Sequence, residues 1–431
     1  MAIPNPYRGL RGLPADVWII AATTLVNRAG MMALPFLILY LTRHLGISAS
    51  VAGLALSAYG VGGLVTSRMA GRLADRLGPY AVLRASLALT GIVLLIVPLA
   101  RTFTVVLALT FLWAVVAEAA RPATMAALTG STPPDRRKAA IALNRLAINL
   151  GMSIGPAVGG FLAVVSFPLL FVVDGATSLA AAGVLTVLLA RNRHALAVPP
   201  PPHEPPTQRS RFALSPVWRD RALLSFLATA FLVNVVFFQH EGAMALYVVR
   251  DLHYRESFYG GLFALNTLII VAIEVPLNMA MAHWRARTTI GLATTLIAVG
   301  FGALGAATTT VPIVITVIVW TFGEMIFFPT SVAYVAELAP AGNTGEYMGM
   351  FSGTFSLALL VGPWLGAFLL DRVGAPATWA TMFLLGATAA ALFVFSPTTR
   401  RGPSVVAAVP LPATAQAAAA GAGRLDNTDS R

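Results

Sequence analysis

Long apolar runs, recurring from one end of the chain to the other, constrain its fold more than any other feature. Twelve stretches qualify: 17–41, 49–69, 80–100, 103–128, 140–163, 167–190, 222–249, 257–282, 287–308, 311–335, 346–370 and 376–397. Each is long enough to cross a hydrocarbon core of about 30 Å. Lipid offers no hydrogen-bond partner to a backbone amide, so every crossing is read as a helix and the chain as an all-α integral membrane protein. With 57% hydrophobic and 11% charged residues, a soluble domain is excluded.

A formal charge of +12 would otherwise point to nucleic acid. With the N-terminus placed inside, however, 22 of the 29 basic residues fall on the inner side. Five (Arg43, Arg101, Arg250, Arg255, Arg372) lie outside, and two (Arg28, Arg121) lie within spans. That is the positive-inside pattern, so both termini are expected in the cytoplasm and no nucleic-acid partner is needed. The opening MAIPNPYRGLRGLPAD shows no small-residue cleavage site before the first span, so no cleaved signal is expected. Lys138 is the single lysine, a bias of GC-rich bacterial genomes that fits a bacterial inner membrane. The absence of cysteine removes disulfides and thiolate chemistry. No metal, cofactor or ATP site is read, there being neither HExxH nor GxxxxGK[ST].

The second half repeats the first at a constant offset of 207. Leu39, Tyr40, Arg43 and Leu45 return as Leu246, Tyr247, Arg250 and Leu252, Gly53 as Gly260, and Pro122 as Pro329. The chain therefore reads as a duplicated six-helix unit: bundles at 1–190 and 222–397, a cytoplasmic linker at 191–221, and a tail at 398–431 expected to be disordered. Within span five, NRLAINLGMSIGPAVGGFLA sets Gly151, Gly155 and Gly159 on one stripe beside Gly160, with Pro156 between them. Small residues let a neighbouring backbone approach, and the proline should bend the helix. Gly155, Pro156 and Gly159 recur as Gly362, Pro363 and Gly366, so the bend is read as architectural. Gly151 and Gly160 map onto Ala358 and Ala367, so Gly151→Ala is expected to be tolerated and Gly151→Leu to impair function with little loss of folding.

Two halves of six spans are the arrangement of major facilitator transporters. The segment GRLADRLG, with Gly71, Leu73, Asp75, Arg76 and Gly78, resembles that superfamily's signature between its second and third helices. It departs where Pro79 and Tyr80 replace the usual basic pair. The glycine–proline pattern of span five is similar to that of the superfamily's proton-driven antiporters, and NRAGMMALPF and FGEMIFFP resemble segments of its twelve-helix drug-exporter branch. Where many exporters carry an arginine and glycine on helix four, Thr110 and Ala114 stand here. The resemblance implies the major facilitator fold, two pseudo-symmetric six-helix bundles. It also implies a small-molecule substrate, proton coupling, a monomer, and a cytoplasmic latch at Gly71, Asp75, Arg76 and Gly78, placed in the loop between spans two and three.

An ionisable residue inside a span costs about 2.5–3.5 kcal/mol on insertion scales, so each is a functional candidate. Arg28, Glu118, Arg121, Glu241, Glu274 and Glu324 are the proton-coupling candidates. Arg28, Glu118 and Arg121 map onto Val235, Met325 and Phe328, so charge does not follow the duplication. In the superfamily's arrangement, spans one, four, seven and ten line the cavity. Glu324 is read as the first carrier and Arg28 with Glu118 as an N-half pair, against a static ion pair of Arg28 or Arg121 with Glu118. For Glu274, beside Pro276, a helix-bend role stands beside ligand or proton binding, and for Asp174 a cap stands beside an interface role. Asn27, Phe36, Tyr40, Tyr59, Trp113, Asn234, Phe238, Asn266 and Phe327 are the substrate-cavity candidates, each with plain packing as the alternative. The function read is proton-coupled export of amphipathic or drug-like molecules by alternating access. The alternatives are an uptake symporter or facilitator for a sugar, peptide or metabolite and, remotely, a membrane-embedded enzyme or sensor.

Overall fold

The apolar runs become helices, and several are broken where a single crossing was expected. The computed structural model describes residues 12–133, 136–191, 216–281, 283–340 and 343–396. Most of the expected linker, and the tail, lie outside these. Span one comprises α1 (Ala15–Gly30), α2 (Ala33–Leu39) and a π turn, Tyr40–His44. Spans two and three are α3 (Ala49–Leu77) and α4 (Pro79–Ile96). Span four divides into α5 (Phe103–Glu118) and α6 (Ala120–Gly130), and spans five and six are α7 (Arg137–Val165) and α8 (Phe167–Arg191).

In the second half, span seven is α9 (Arg221–Phe237), a 3-10 turn, α10 (Ala243–Leu246) and a π turn, Tyr247–Asp251. Then come α11 (Glu256–Ala280), α12 (Ala286–Ala303) and α13 (Thr310–Leu338). The last helix, α14 (Thr344–Phe395), has 52 residues. At 1.5 Å per residue it would be about 78 Å long, far more than one crossing needs. It breaks at Gly374, whose φ of 76° leaves the helical region, and so holds spans eleven and twelve. Among the described residues, eleven helical segments are long and apolar enough to cross a membrane, this one counted once.

The offset of 207 governs the structure more closely than the sequence shows. It carries α4 onto α12, one π turn onto the other, and the 3-10 turn Val97–Leu99 onto Leu304–Ala306. Within the halves, α1 on α7 becomes α9 on α14, α3 on α5 becomes α11 on α13, and α4 on α8 becomes α12 on α14. The two seams between halves, α7 with α11 and α3 with α14, also exchange under the offset. The chain has the major facilitator fold.

The glycine stripe of span five grips the break in span one. A Cβ on Gly155 would lie 2.7 Å from the Met31 carbonyl oxygen, and one on Gly159 would lie 2.8 Å from Met32 Cβ. The second half repeats the grip: Gly362 meets the Val235 carbonyl oxygen at 3.0 Å, and Gly366 meets the Gln239 side chain. Gly160 faces the other half instead, 2.8 Å from the Glu256 carbonyl oxygen. Stripe and seam thus use opposite sides of one helix.

The breaks themselves are satisfied differently in the two halves. Asp174 Oδ2 on α8 accepts hydrogen bonds from the amides of Met32 (3.2 Å) and Ala33 (3.1 Å), capping α2 from a distant helix. Of the two roles open for Asp174, the cap is the one seen. In the second half, Gln239 Nε2 donates to the carbonyls of Val235 (2.9 Å) and Gly362 (2.8 Å).

Two expectations need correction. The segment expected as a loop between spans two and three is helical to Leu77, and the turn narrows to Gly78, with φ 84°. Leu73 and Arg76 therefore sit on the last turns of α3, while the surroundings of Gly71 and the side chain of Asp75 lie outside the described residues. Gly151→Ala is not a tolerated change, because its methyl would meet Ala29 N at 2.8 Å and Arg28 C at 2.9 Å, both rigid backbone.

A direct test compares two alanines in purified protein. Gly155→Ala is expected to destabilise by roughly 1–3 kcal/mol through overpacking. Gly183→Ala, with nothing within 4 Å of its Cβ, is expected to be neutral or mildly stabilising. Equal unfolding midpoints for the two variants would remove the glycine contacts as a structural constraint.

Candidate functional site

Two clusters of charged and amide side chains occupy the middle of the bundle, and each draws on both halves. The first forms where span four breaks. Glu118 ends α5, and its carboxylate accepts a hydrogen bond from Tyr59 Oη at 3.4 Å and lies 3.6 Å from Arg121 on α6. Trp113, one turn and a half before it, packs edge-to-face on Tyr59 with centroids 5.1 Å apart. Arg28 stands close enough to interact electrostatically with Glu118, Arg121, Tyr59 and Asp174. Its guanidinium donates to Met31 Sδ at 2.9 Å, and the ion pair of Glu118 is with Arg121. Arg28 therefore stands near Glu118, as expected, but among the described residues the ion pair of Glu118 is with Arg121.

Glu241 joins this cluster from the second half. It lies at the break between α9 and α10, is buried, and interacts electrostatically with Glu118 across the halves. One carboxylate oxygen is 3.8 Å from His240 Nε2, and the other has no hydrogen-bond partner among the described residues. Gly63 on α3 marks the meeting point: a Cβ there would lie 3.6 Å from Glu118 Cγ and 3.7 Å from Ser356 Oγ on α14.

The second cluster centres on Glu324 of α13. Asn266 Nδ2 of α11 donates to Glu324 Oε2 at 2.7 Å and to Thr321 Oγ1 at 3.0 Å. Glu274, two turns further along α11, pairs with Arg145 of α7 across the seam. Glu324 feels both. For Glu274 the observed contact, an ion pair between halves, is not among the roles read from the sequence. Arg145 was missed as a site residue because it was counted with the inner loop charges. Its signal was available, since position 145 falls inside the expected span 140–163.

The remaining cavity candidates separate by burial. Asn27 Nδ2 donates to Ser178 Oγ at 3.1 Å and lines a small cavity with Arg28 and Arg121. Asn234 is buried, with neither side-chain atom hydrogen-bonded among the described residues. Phe36, Tyr40 and Phe327 are fully buried and pack on Tyr259, Phe171 and Phe328 respectively, so they belong to the core rather than to a cavity wall. Phe238 is nearly as buried, against Phe355.

The face opposite the 77–79 turn is closed by contacts between halves. Arg43 pairs with Glu256 at 2.7 Å and donates to the Val249 carbonyl at 2.8 Å. Its counterpart Arg250 pairs with Asp371 at 2.6 Å, and Asp371 accepts from Ser50 N at 3.0 Å and Ser50 Oγ at 2.9 Å. Tyr259 Oη, a residue that sequence reasoning passed over, lies 2.6 Å from the His240 carbonyl and 3.3 Å from that of Pro35. One hydroxyl thus touches the broken segments of both span one and span seven. On the other face, the side chains of Arg121 and Arg145 are 61% and 53% exposed.

Comparison with known proteins agrees with this architecture. A family model described as Major Facilitator Superfamily matches residues 20–277 and 240–420. The chain is 26% identical over 366 residues to YqjV of Bacillus subtilis (strain 168), an uncharacterized MFS-type transporter, spanning 83% of this chain and 87% of the relative. A second uncharacterized MFS-type transporter of that organism, YttB, is 23% identical over 380 residues, spanning 86% and 93%. Among solved structures, a POT family transporter in complex with 5-aminolevulinic acid superposes with a TM-score of 0.76 at 16% identity, covering 92% of this chain and 99% of its own. A bacterial homolog of the human lysosomal transporter Spinster, inward-facing and occupied, gives 0.70 at 13% identity, covering 94% and 100%. At these identities the superpositions speak to the fold. The matched segments together span most of the chain, which belongs to the Major Facilitator Superfamily and is a membrane transporter of that type.

Proposed function

We propose that the protein exports amphipathic small molecules from the cytoplasm in exchange for protons, as the two halves rock about the central clusters. The observation that carries this reading is the pair of carboxylate clusters, Glu118 with Glu241 and Glu324 with Glu274, each built from α-helical breaks or seams between halves. A charge in lipid is expensive, and motion between halves changes its access to water and to its counter-ion, which is what a proton carrier requires. Glu324 and Glu118 are the assigned carriers, with Arg121 and Arg145 as the neighbouring cations. Direction is drawn from the antiporter-like glycine pattern of span five. With both termini cytoplasmic in a bacterial inner membrane, the closed face is the outer one, in keeping with an inward-facing arrangement of a monomer. The α3 end carrying Arg76 and Gly78 is the corresponding inner latch, engaged when the outer face opens.

Two measurements test the reading. In proteoliposomes under an imposed pH gradient, Glu324→Gln and Glu118→Gln are each expected to lower uphill export of a lipophilic dye at least about tenfold, or about 1.4 kcal/mol in the coupled step. Wild-type uphill export by both variants would show the carriers to be wrongly assigned, and accumulation instead of extrusion would reverse the direction. The second measurement uses the absence of native cysteine. Ala52→Cys, fully buried at the closed face, is expected to react slowly with an impermeant maleimide. Adding Arg43→Gln and Arg250→Gln removes the ion pair between halves and the one that holds Asp371 toward Ser50, each part-exposed and worth roughly 0.2–1 kcal/mol, and should raise labelling by about two- to thirtyfold. Unchanged labelling would dismiss these arginines as an outer latch.

A further inference from the structure

The duplicated unit has diverged most where its two copies face the centre. In the first half, Thr24, Asn27, Arg28, Arg121, Thr124 and Asn144 contribute the polar lining of a cavity of ≈ 60 Å³. A site that holds a whole drug-sized ligand measures about 300–1,000 Å³, so this one admits a head group and no more. The offset of 207 converts Thr24 to Phe231, Ala120 to Phe327, Arg121 to Phe328, Asn144 to Phe351 and Ile148 to Phe355. Asn27, as Asn234, and Thr124, as Ser331, keep their polarity at these positions, while Arg28 becomes Val235. The second half therefore fills the equivalent space with aromatic rings. Phe237, Phe238, Phe328 and Phe355 close a ring of edge-to-face contacts with centroids 4.8–5.9 Å apart. Phe231, Phe328 and Phe355 stay half-buried rather than sealed in the core.

The polar seat carries an unsatisfied cation. A guanidinium has five donors, yet the hydrogen bond of the Arg28 side chain goes to a thioether, a weak acceptor. Glu118 lies beyond ion-pair distance of Arg28 and is engaged by Arg121, and Asp174 is committed to the amides of Met32 and Ala33. Glu118 thus offsets Arg121, and Arg28 is left without an ion pair among the described residues. Gly63 lies between Glu118, the partner of Arg121, and Ser356, the chain neighbour of Phe355.

We infer that the transported molecule is an amphipathic organic anion. A single carboxylate, sulfonate or phosphate head seats on Arg28 and Arg121, and the apolar body lies along Phe231, Phe328 and Phe355. This inference rests on the transporter reading for its cargo, but its test needs no gradient. Full-length protein in detergent is titrated with three dansyl-labelled eleven-carbon chains that end in carboxylate, trimethylammonium or hydroxyl. The carboxylate is expected to bind at least about tenfold tighter than the ammonium. Arg28→Gln should erase that margin. Phe328→Ala should weaken all three by a similar factor. Thr24→Phe installs the second half's residue in the seat and should also erase the margin, so a misfolded Arg28→Gln would not decide the matter. Equal or tighter binding of the ammonium overturns the inference, as does a margin that survives both Arg28→Gln and Thr24→Phe. Loss of proton-driven export in vesicles with the head-group preference intact would refute only the coupling mechanism, and the converse only the anion.

Discussion

Helices in lipid lack the hydrophobic drive that holds a soluble core, so their association depends on how closely backbones can approach. Here that approach runs through glycine. Gly155 and Gly159 meet span one where it breaks, Gly362 and Gly366 meet span seven where it breaks, and Gly53, Gly60, Gly160 and Gly260 close the seams between halves. At Gly60 a Cβ would come within 2.6 Å of the Leu360 amide nitrogen, which leaves no room for a methyl group. The breaks are part of the same design. An interrupted helix frees backbone amides and carbonyls at membrane depth, and these need partners. Asp174 supplies them in one half and Gln239 in the other.

Those breaks are what bring chemistry to the centre. Glu118 terminates α5, Glu241 follows the 3-10 turn of span seven, and Arg28 lies at the end of α1. A continuous helix would have covered their surroundings with its own next turn. The two halves share scaffold and differ in what they present: arginines and amides from one, phenylalanines from the other. A duplicated transporter can keep its hinges symmetric while its binding surface becomes one-sided, because glycine contacts constrain backbone and leave cavity-facing side chains free.

The clusters also link the site to the seams. Arg145 with Glu274 ties α7 to α11, and Glu324, which accepts from Asn266, feels that pair. Arg43 with Glu256 joins the same two halves at the opposite end, and Tyr259 on α11 reaches both broken helices. α11 therefore touches the closed face, the seam and the acidic centre. A change of charge at its middle is mechanically placed to bias both ends.

Much of the fold was legible without coordinates, because its signals are one-dimensional. Apolar run length sets the crossings, and a constant offset of 207 reports the duplication, which extends to the π turns and the glycine contacts. The site was legible only as a set of ionisable residues inside spans. Which of them pair depends on packing between helices far apart in sequence: Arg145 and Glu274 are 129 residues apart, Met32 and Asp174 142. Local pattern misled where neighbours override it, as with the turn after α3, which is helical to Leu77, and with Gly151, where a small residue in the second half made alanine look harmless. Run length and repeat determined the architecture, since both act through the backbone and the lipid. Tertiary contact alone decided the pairings of the charges, since an ion pair exists only where two helices bring its partners within a few ångströms.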